Sequence, residues 1–124
     1  MVVALDRLFL EVNNLEESLA FYHGLIGFQI ESQNPEAEQP IASVRGGSLQ
    51  ITLVQQLETM LKRGRGVYFV MRVADVDEFY RHVSAQGIAV VEPRDEGWGG
   101  RFVSLRDPDG YQLFFVEYQN REEP

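Results

Sequence analysis

The chain has 124 residues, 44% of them hydrophobic, no cysteine, and a formal net charge of −8. That length gives one domain with enough apolar residue for a core, and the missing cysteine excludes disulfides, thiolate nucleophiles and thiolate metal sites. The acidity argues against nucleic acid, whose phosphates attract clustered Lys and Arg, and no apolar run reaches membrane-spanning length. With no signal-peptide character at the start, the expectation is a cytoplasmic protein with neither nucleic acid nor membrane as partner.

Arg7 to Val12 reads as the first strand, with Leu8, Leu10 and Val12 on one face and Arg7, Phe9 and Glu11 on the other. Asn14 then stands as an N-cap with Glu17 three residues on, the spacing of a capping box. Leu15, Leu19, Tyr22 and Ile26 follow at helical spacing, Gly27 stops the helix, and Phe28 to Glu31 resumes as a strand. Ser32 to Pro40 is polar and holds two prolines, so it reads as a loop. Ile41 to Arg45 and Leu49 to Val54 make a hairpin about the Gly46-Gly47 pair.

The segment from Gln55 to Arg65 has no strand pattern and reads as a linker between two modules, residues 5–54 and 66–118. In the second module Val67 to Val73 is a strand, and Asp75 caps a helix with Glu78 three residues on. Val76, Phe79, Tyr80 and Val83 form that helix's apolar face, Gly87 stops it, and Ile88 to Val91 reads as the next strand. Arg101 to Leu105 and Tyr111 to Glu117 flank Asp107-Pro108-Asp109-Gly110. There Pro108 fixes φ for a type I turn and Gly110 can take the left-handed conformation that closes a hairpin.

The second module repeats the first. Val12, Leu15, Leu19 and Tyr22 map onto Val73, Val76, Tyr80 and Val83 at an offset of 61, and Gly27 maps onto Gly87 at 60. The pattern is an α+β chain of two βαβββ modules. A single such unit cannot cover its own sheet, so two must pack side by side, within the chain or across a dimer.

Strand alternation puts Leu8, Leu10, Val12, Ile51, Leu53, Phe69, Met71, Leu113 and Phe115 on an apolar face that packs on the helices. The opposite face mixes Arg7, Phe9, Glu11, Gln50, Thr52, Tyr68, Arg72 and Phe114. A merely solvated face would seldom hold so many aromatics, and a core face would not hold lone charges. A binding surface with a few convergent polar groups satisfies both; a dimer interface is the alternative.

Val12-Asn13-Asn14-Leu15 with Phe21-Tyr22 and Leu25-Ile26-Gly27-Phe28, together with Trp98-Gly99 and Arg106-Asp107-Pro108-Asp109-Gly110, resemble the vicinal oxygen chelate superfamily. It holds glyoxalase I, extradiol dioxygenases and bleomycin-resistance proteins. The resemblance covers nearly the whole chain and implies paired βαβββ modules forming a mixed, curved sheet around a cavity. Metal-dependent members of the family line that cavity with His, Gln or Glu ligands from the first and last strand of each module. Carried over, those positions are Arg7, Gln50, Tyr68 and Phe114. Arg cannot ligate a divalent cation and Phe offers no donor, so the expectation is no metal and no cofactor.

On these terms the chain resembles the metal-free bleomycin-resistance branch. The resemblance implies a homodimeric, metal-independent protein that binds a cationic or aromatic small molecule and sequesters a toxic or antibiotic compound. Ligand contacts are expected from Arg7, Phe9, Glu11, Gln50, Thr52, Tyr68, Arg72, Trp98 and Phe114, with Glu11 suited to a cationic group and Arg7 and Arg72 to an anionic one. The other reading is a lyase, isomerase or dioxygenase-related enzyme with a non-standard or absent metal site. Glu11 with Tyr68 or Arg72 would then do acid–base work, although no nucleophile–base pair is visible.

Overall fold

Two helix starts and two stops, matched along the chain, organise the molecule into two units, Met1–Arg63 and Gly64–Pro124. The structure is a computed structural model, and it describes residues 1–56, 63–95 and 100–118. Trp98 and most of the expected linker therefore lie outside the described residues.

In unit 1, strand β1 (Leu8–Val12) leads into helix α1 (Leu15–Leu19). The helix continues as a wider π turn over Ala20–Leu25, and β2 (Gln29–Asn34), β3 (Ile41–Gly46) and β4 (Leu49–Gln55) follow. The sheet order is β1-β4-β3-β2, with β1 parallel to β4 and the other pairs antiparallel. Unit 2 repeats this with β5 (Tyr68–Arg72), α2 (Val76–Ala85), β6 (Arg94–Asp95), β7 (Gly100–Arg106) and β8 (Gln112–Tyr118) in the order β5-β8-β7-β6. Each unit is a four-stranded mixed sheet with one helical segment, the α+β architecture expected.

Both helices begin as their caps dictate. Asn14 Oδ1 accepts from Glu17 N at 2.9 Å, and Asp75 Oδ1 accepts from Glu78 N at 3.0 Å. A second, matched device joins each helix to its sheet. Gln55 Oε1 at the end of β4 accepts from Leu15 N at 2.8 Å, and Glu117 Oε1 on β8 accepts from Val76 N at 2.9 Å. Each satisfies an amide that the helix leaves without an internal partner.

The apolar faces follow the strand alternation. Leu10, Val12, Ala42, Val44, Ile51 and Leu53 are buried in unit 1, as are Val103, Leu105, Leu113 and Phe115 in unit 2. Phe79 of α2 stacks on Phe115 with ring centroids 4.3 Å apart. Burying side chains of this size supplies roughly 1.5–3 kcal/mol each.

Four expectations need correction. The first helix buries Leu15, Ser18, Tyr22 and Leu25 rather than Leu15, Leu19, Tyr22 and Ile26. Its last turn is wide, with Ile26 N donating to Phe21 O at 3.0 Å, so the helical spacing that selects Ile26 no longer holds there. Second, β2 runs on to Asn34, through residues read as loop, because β3 offers partners as far as Ile41 and a bulge between Ile30 and Ser32 resets the register. Third, Ile88 to Val91 is not a strand: Val91 is 69% exposed, and on its edge away from β8, β7 pairs with Arg94 and Asp95 among the described residues. Pro93, which has no N–H to give a ladder, immediately precedes that pairing. Fourth, β1 begins at Leu8, leaving Arg7 just outside it.

The turn at Asp107-Pro108-Asp109-Gly110 forms as expected, with Gly110 at φ +89°. Asp107, buried, uses one carboxylate oxygen to accept from Asp109 N and Tyr111 N, both at 2.9 Å. Gly64, at φ +76°, lies against this turn so closely that an added Cβ would stand 2.5 Å from the Gly110 carbonyl.

Candidate functional site

Each sheet has one face toward its helix and one away from it. The faces turned away carry the residues singled out above, and strand pairing shows which of them neighbour one another.

In unit 1, Phe9 pairs with Thr52 and Thr52 with Ser43, while Gln50 pairs with Arg45. The polar groups of this face are largely committed to one another. The Ser43 and Thr52 hydroxyls share a hydrogen bond of 2.9 Å, and both residues are buried. Arg45 Nε donates to Glu31 at 2.8 Å, and the Gln50 amide donates to the same carboxylate at 3.0 Å. Glu11 receives the Arg63 guanidinium at 3.0 Å, and Arg63 also donates to Asn13 Oδ1 and to the Gln56 carbonyl. Its side chain is only 5% exposed, so this arginine pins the end of unit 1 onto β1. Arg7 pairs with the adjacent, exposed Asp6 at 3.2 Å. Phe9 is 63% exposed.

In unit 2 the same face is aromatic. Tyr68 of β5 meets Phe114 of β8 edge to face at 5.8 Å, and Phe102 of β7 meets Phe114 from the other side at 5.6 Å. Val70 pairs with Phe114 and Arg72 with Val116, and Arg72 lies 5.6 Å over the ring of Tyr118. Tyr68 and Val70 are 65% and 62% exposed, an unusual state for such apolar area. The structure thus brings together Tyr68, Phe114 and Arg72 within unit 2, and separately Phe9, Glu11, Gln50 and Thr52 within unit 1. Phe102 and Tyr118 were missed. Their signal was available in the alternation, since pairing through the Asp107 to Gly110 turn puts Phe102 on the face of Phe114 and Val116.

Internal symmetry also sharpens one correspondence. Phe9 and Val70 stand 61 apart, and they pair with Thr52 and Phe114 respectively. The unit 1 counterpart of Phe114 is therefore Thr52, and that of Gln50 is Gln112. Neither choice makes a metal site. Thr52 shares a hydrogen bond with the Ser43 hydroxyl, the Gln50 amide N–H donates to Glu31, Arg7 is cationic, and Phe114 has no donor atom. These side chains do not fit a divalent cation. His23 and His82 are both exposed; the His23 ring nitrogen Nδ1 lies 2.7 Å from the Phe28 carbonyl and His82 is 2.9 Å from Gln86.

A depression of about 360 Å³ lies at the junction of β5 and α2, lined by Asp75, Glu78, Phe79 and His82 among others. Its groups serve the fold: Asp75 caps α2 and Phe79 stacks on Phe115. On the helix side too, the Arg101 guanidinium hydrogen-bonds Asp77 at 2.8 Å and holds its carboxyl below the usual carboxylate range. Among the described residues, no helix is long and apolar enough to cross a membrane.

Comparison with known proteins agrees with this architecture. A glyoxalase family protein from Enterococcus faecalis superposes with a TM-score of 0.76 at 20% identity, covering 92% of this chain and 97% of that one. The fosfomycin resistance protein FosX from Listeria monocytogenes gives 0.76 at 18% identity, with 94% of each chain covered. A superfamily member from Sphaerobacter thermophilus gives 0.70 at 26% identity, over 94% of this chain and 98% of that one. Below a quarter identity such likeness speaks for fold alone. Comparison with the curated proteins returns no match. The model of one family, however, matches residues 4–115, nearly the whole chain. With its two βαβββ units and this match, the chain belongs to the glyoxalase/bleomycin resistance protein/dioxygenase superfamily.

Proposed function

We propose that this chain is a metal-independent small-molecule-binding protein that sequesters a toxic or antibiotic compound, and that it works as a cytoplasmic homodimer. One observation carries the reading: Tyr68, Phe102 and Phe114 form an edge-to-face aromatic cluster on a sheet face where Tyr68 and Val70 stay largely exposed. Exposed aromatic area of this kind gains from being covered by a flat apolar ligand, and binding by stacking needs no bond-making group. The donor chemistry of Arg7, Gln50, Thr52, Tyr68 and Phe114 supports metal independence. β1 and β5 each end their own sheet among the described strands, and an edge strand is the kind of element to which a second copy would add.

The test uses the whole chain, purified and treated with chelator. Calorimetry against a panel of aromatic compounds is expected to find a ligand whose affinity is unchanged by added divalent cations. Phe114→Ala is expected to lower that affinity by tenfold or more, on the order of 1.4 kcal/mol. Stoichiometric metal retained at micromolar affinity would sink the metal-independent reading. Binding that ignores Phe114→Ala would place the site elsewhere, and a monomer in gel filtration at micromolar concentration would reject the dimer.

A further inference from the structure

We infer that residues 88–92 form a strap that closes on the open edge of β7 and adds Val91 to the aromatic face of unit 2. The ladder between β7 and β8 shows where the opening lies. Asp107 N donates to Tyr111 O at 2.9 Å, in the register that pairs Leu105 with Leu113 and Val103 with Phe115. Antiparallel ladders bond at alternate pairs, so Ser104 and Arg106 turn their backbone N–H and C=O groups to the other edge. There, among the described residues, β7 meets Arg94 and Asp95, and no strand pairs with Ser104 or Arg106.

Unit 1 fills the same edge. Ser43 and Arg45, the counterparts of Ser104 and Arg106, pair with Ser32 and Gln29, and Ile41 pairs with Asn34. The offset of 60 that joins Gly27 to Gly87 carries Asn34 onto Arg94, and Arg94 does pair with Phe102, the counterpart of Ile41. The same offset sets Glu92 opposite Ser104, Val90 opposite Leu105 and Ala89 opposite Arg106. Pro93 falls opposite Val103, where the ladder takes no N–H from the incoming strand. The segment is apolar and open to water, with Ile88 39% and Val91 69% exposed, so covering it is favourable.

Val91 takes the place of Glu31, the residue at the bulge between Ile30 and Ser32. Glu31 reaches the face turned away from the helix, where it meets Arg45 at 2.8 Å and the Gln50 amide at 3.0 Å. Closure therefore brings Val91 beside Arg106 and Gln112, in the row that begins at Tyr68. Unit 1 holds its strand with an ion pair. Unit 2 has a valine there, which gains from an apolar group laid against it. A ligand on the aromatic face is such a group, so closure and occupancy favour one another; this coupling rests on the binding reading above.

Amide exchange followed by NMR on the whole chain reads closure at Ser104 and Arg106, with Ser43 and Arg45 as the matched reference. Val91→Glu restores the unit 1 arrangement and is expected to slow exchange at both amides by about two- to fivefold, the effect of an exposed ion pair with Arg106. The gain should vanish when Arg106→Gln is added and in high salt, and Val91→Gln should not give it. Unchanged exchange in Val91→Glu, or a slowing that survives Arg106→Gln, would overturn the strap and its register. With 2-naphthol as a probe titrated into the parent, both amides are expected to slow in step with its binding. Binding of 2-naphthol that is lost in Phe114→Ala yet leaves the two amides unchanged would overturn the coupling and leave the binding reading standing. Slowing by Val91→Glu with no binding of 2-naphthol would support the strap and count against the binding reading.

Discussion

The two units share a frame and differ on one face. Their helices start alike, their sheets pair alike, and a side chain from the last strand of each reaches back to cap its helix. On the faces turned away from the helices, unit 1 closes its polar groups on themselves, through Ser43 with Thr52, Arg45 with Glu31 and Glu11 with Arg63. Unit 2 instead sets Tyr68 and Val70, both largely exposed, beside the half-buried rings of Phe102 and Phe114. A repeated fold fixes where side chains stand, and the chemistry placed there is free to diverge. Self-satisfied polar pairs favour stability, while exposed aromatics cost it and mark the face that does something else.

The strongest way to test the shared frame is through its cores. Leu53 and Leu113 are fully buried on the helix-facing sides of β4 and β8. Leu53→Ala and Leu113→Ala are each expected to cost about 2–5 kcal/mol in denaturant unfolding. A cost under 1 kcal/mol at one site alone would break the equivalence of the two cores.

Next come the glycines, where the units part. Gly47 has φ +58° with open space at its Cβ position, whereas Gly64 combines φ +76° with the Gly110 carbonyl at 2.5 Å from a built Cβ. Gly64→Ala should therefore destabilise by about 1–3 kcal/mol and by more than Gly47→Ala, as measured by thermal unfolding. The reverse order would mean that the turn in unit 2 yields to the intruding methyl.

Thr52→Val probes the closed face. It leaves the buried Ser43 hydroxyl short of its partner, with an expected cost of about 1–2 kcal/mol, partly restored by adding Ser43→Ala. Ser104, which pairs with Phe114 rather than a hydroxyl, should tolerate Ser104→Ala with a smaller loss.

The smallest effect concerns Asp77. The hydrogen bond from Arg101 lowers its pKa, so its contribution is present at neutral pH and fades as the pH falls through that lowered value. The stability difference between the parent and Asp77→Asn should narrow on acidification; a difference that stays constant with pH would remove the ion pair from the account.

Much of the frame was legible in the residues. Asn14 and Asp75 announce helix starts, Pro108 and Gly110 a turn, and period-two alternation assigns strand faces, because each of these signals is local. What escaped depends on partners distant in sequence. Ile88 to Val91 has strand composition, but β7 takes Arg94 and Asp95 instead. Glu11 reads as an open carboxylate until Arg63, 52 residues on, is seen to hold it. Phe102 shares the face of Phe114 by hairpin alternation, and the structure adds that their rings meet at 5.6 Å. Gln50 was matched to Phe114 by motif, and only strand pairing shows Thr52 in that place.

The wide turn at Ala20–Leu25 leaves one last consequence. The repeat runs at an offset of 61 as far as Tyr22 and Val83, then slips to 60 at Gly27 and Gly87, so unit 1 holds one more residue in that interval. A turn of larger girth stores the surplus, and both helices still release the chain at a glycine with nearly the same φ, +83° and +82°. It behaves as slack in a line whose two ends are tied. Chain length can be let out or taken in there without shifting the strands downstream, and removing exposed Gly24 should draw the coil tight into an ordinary α-helix.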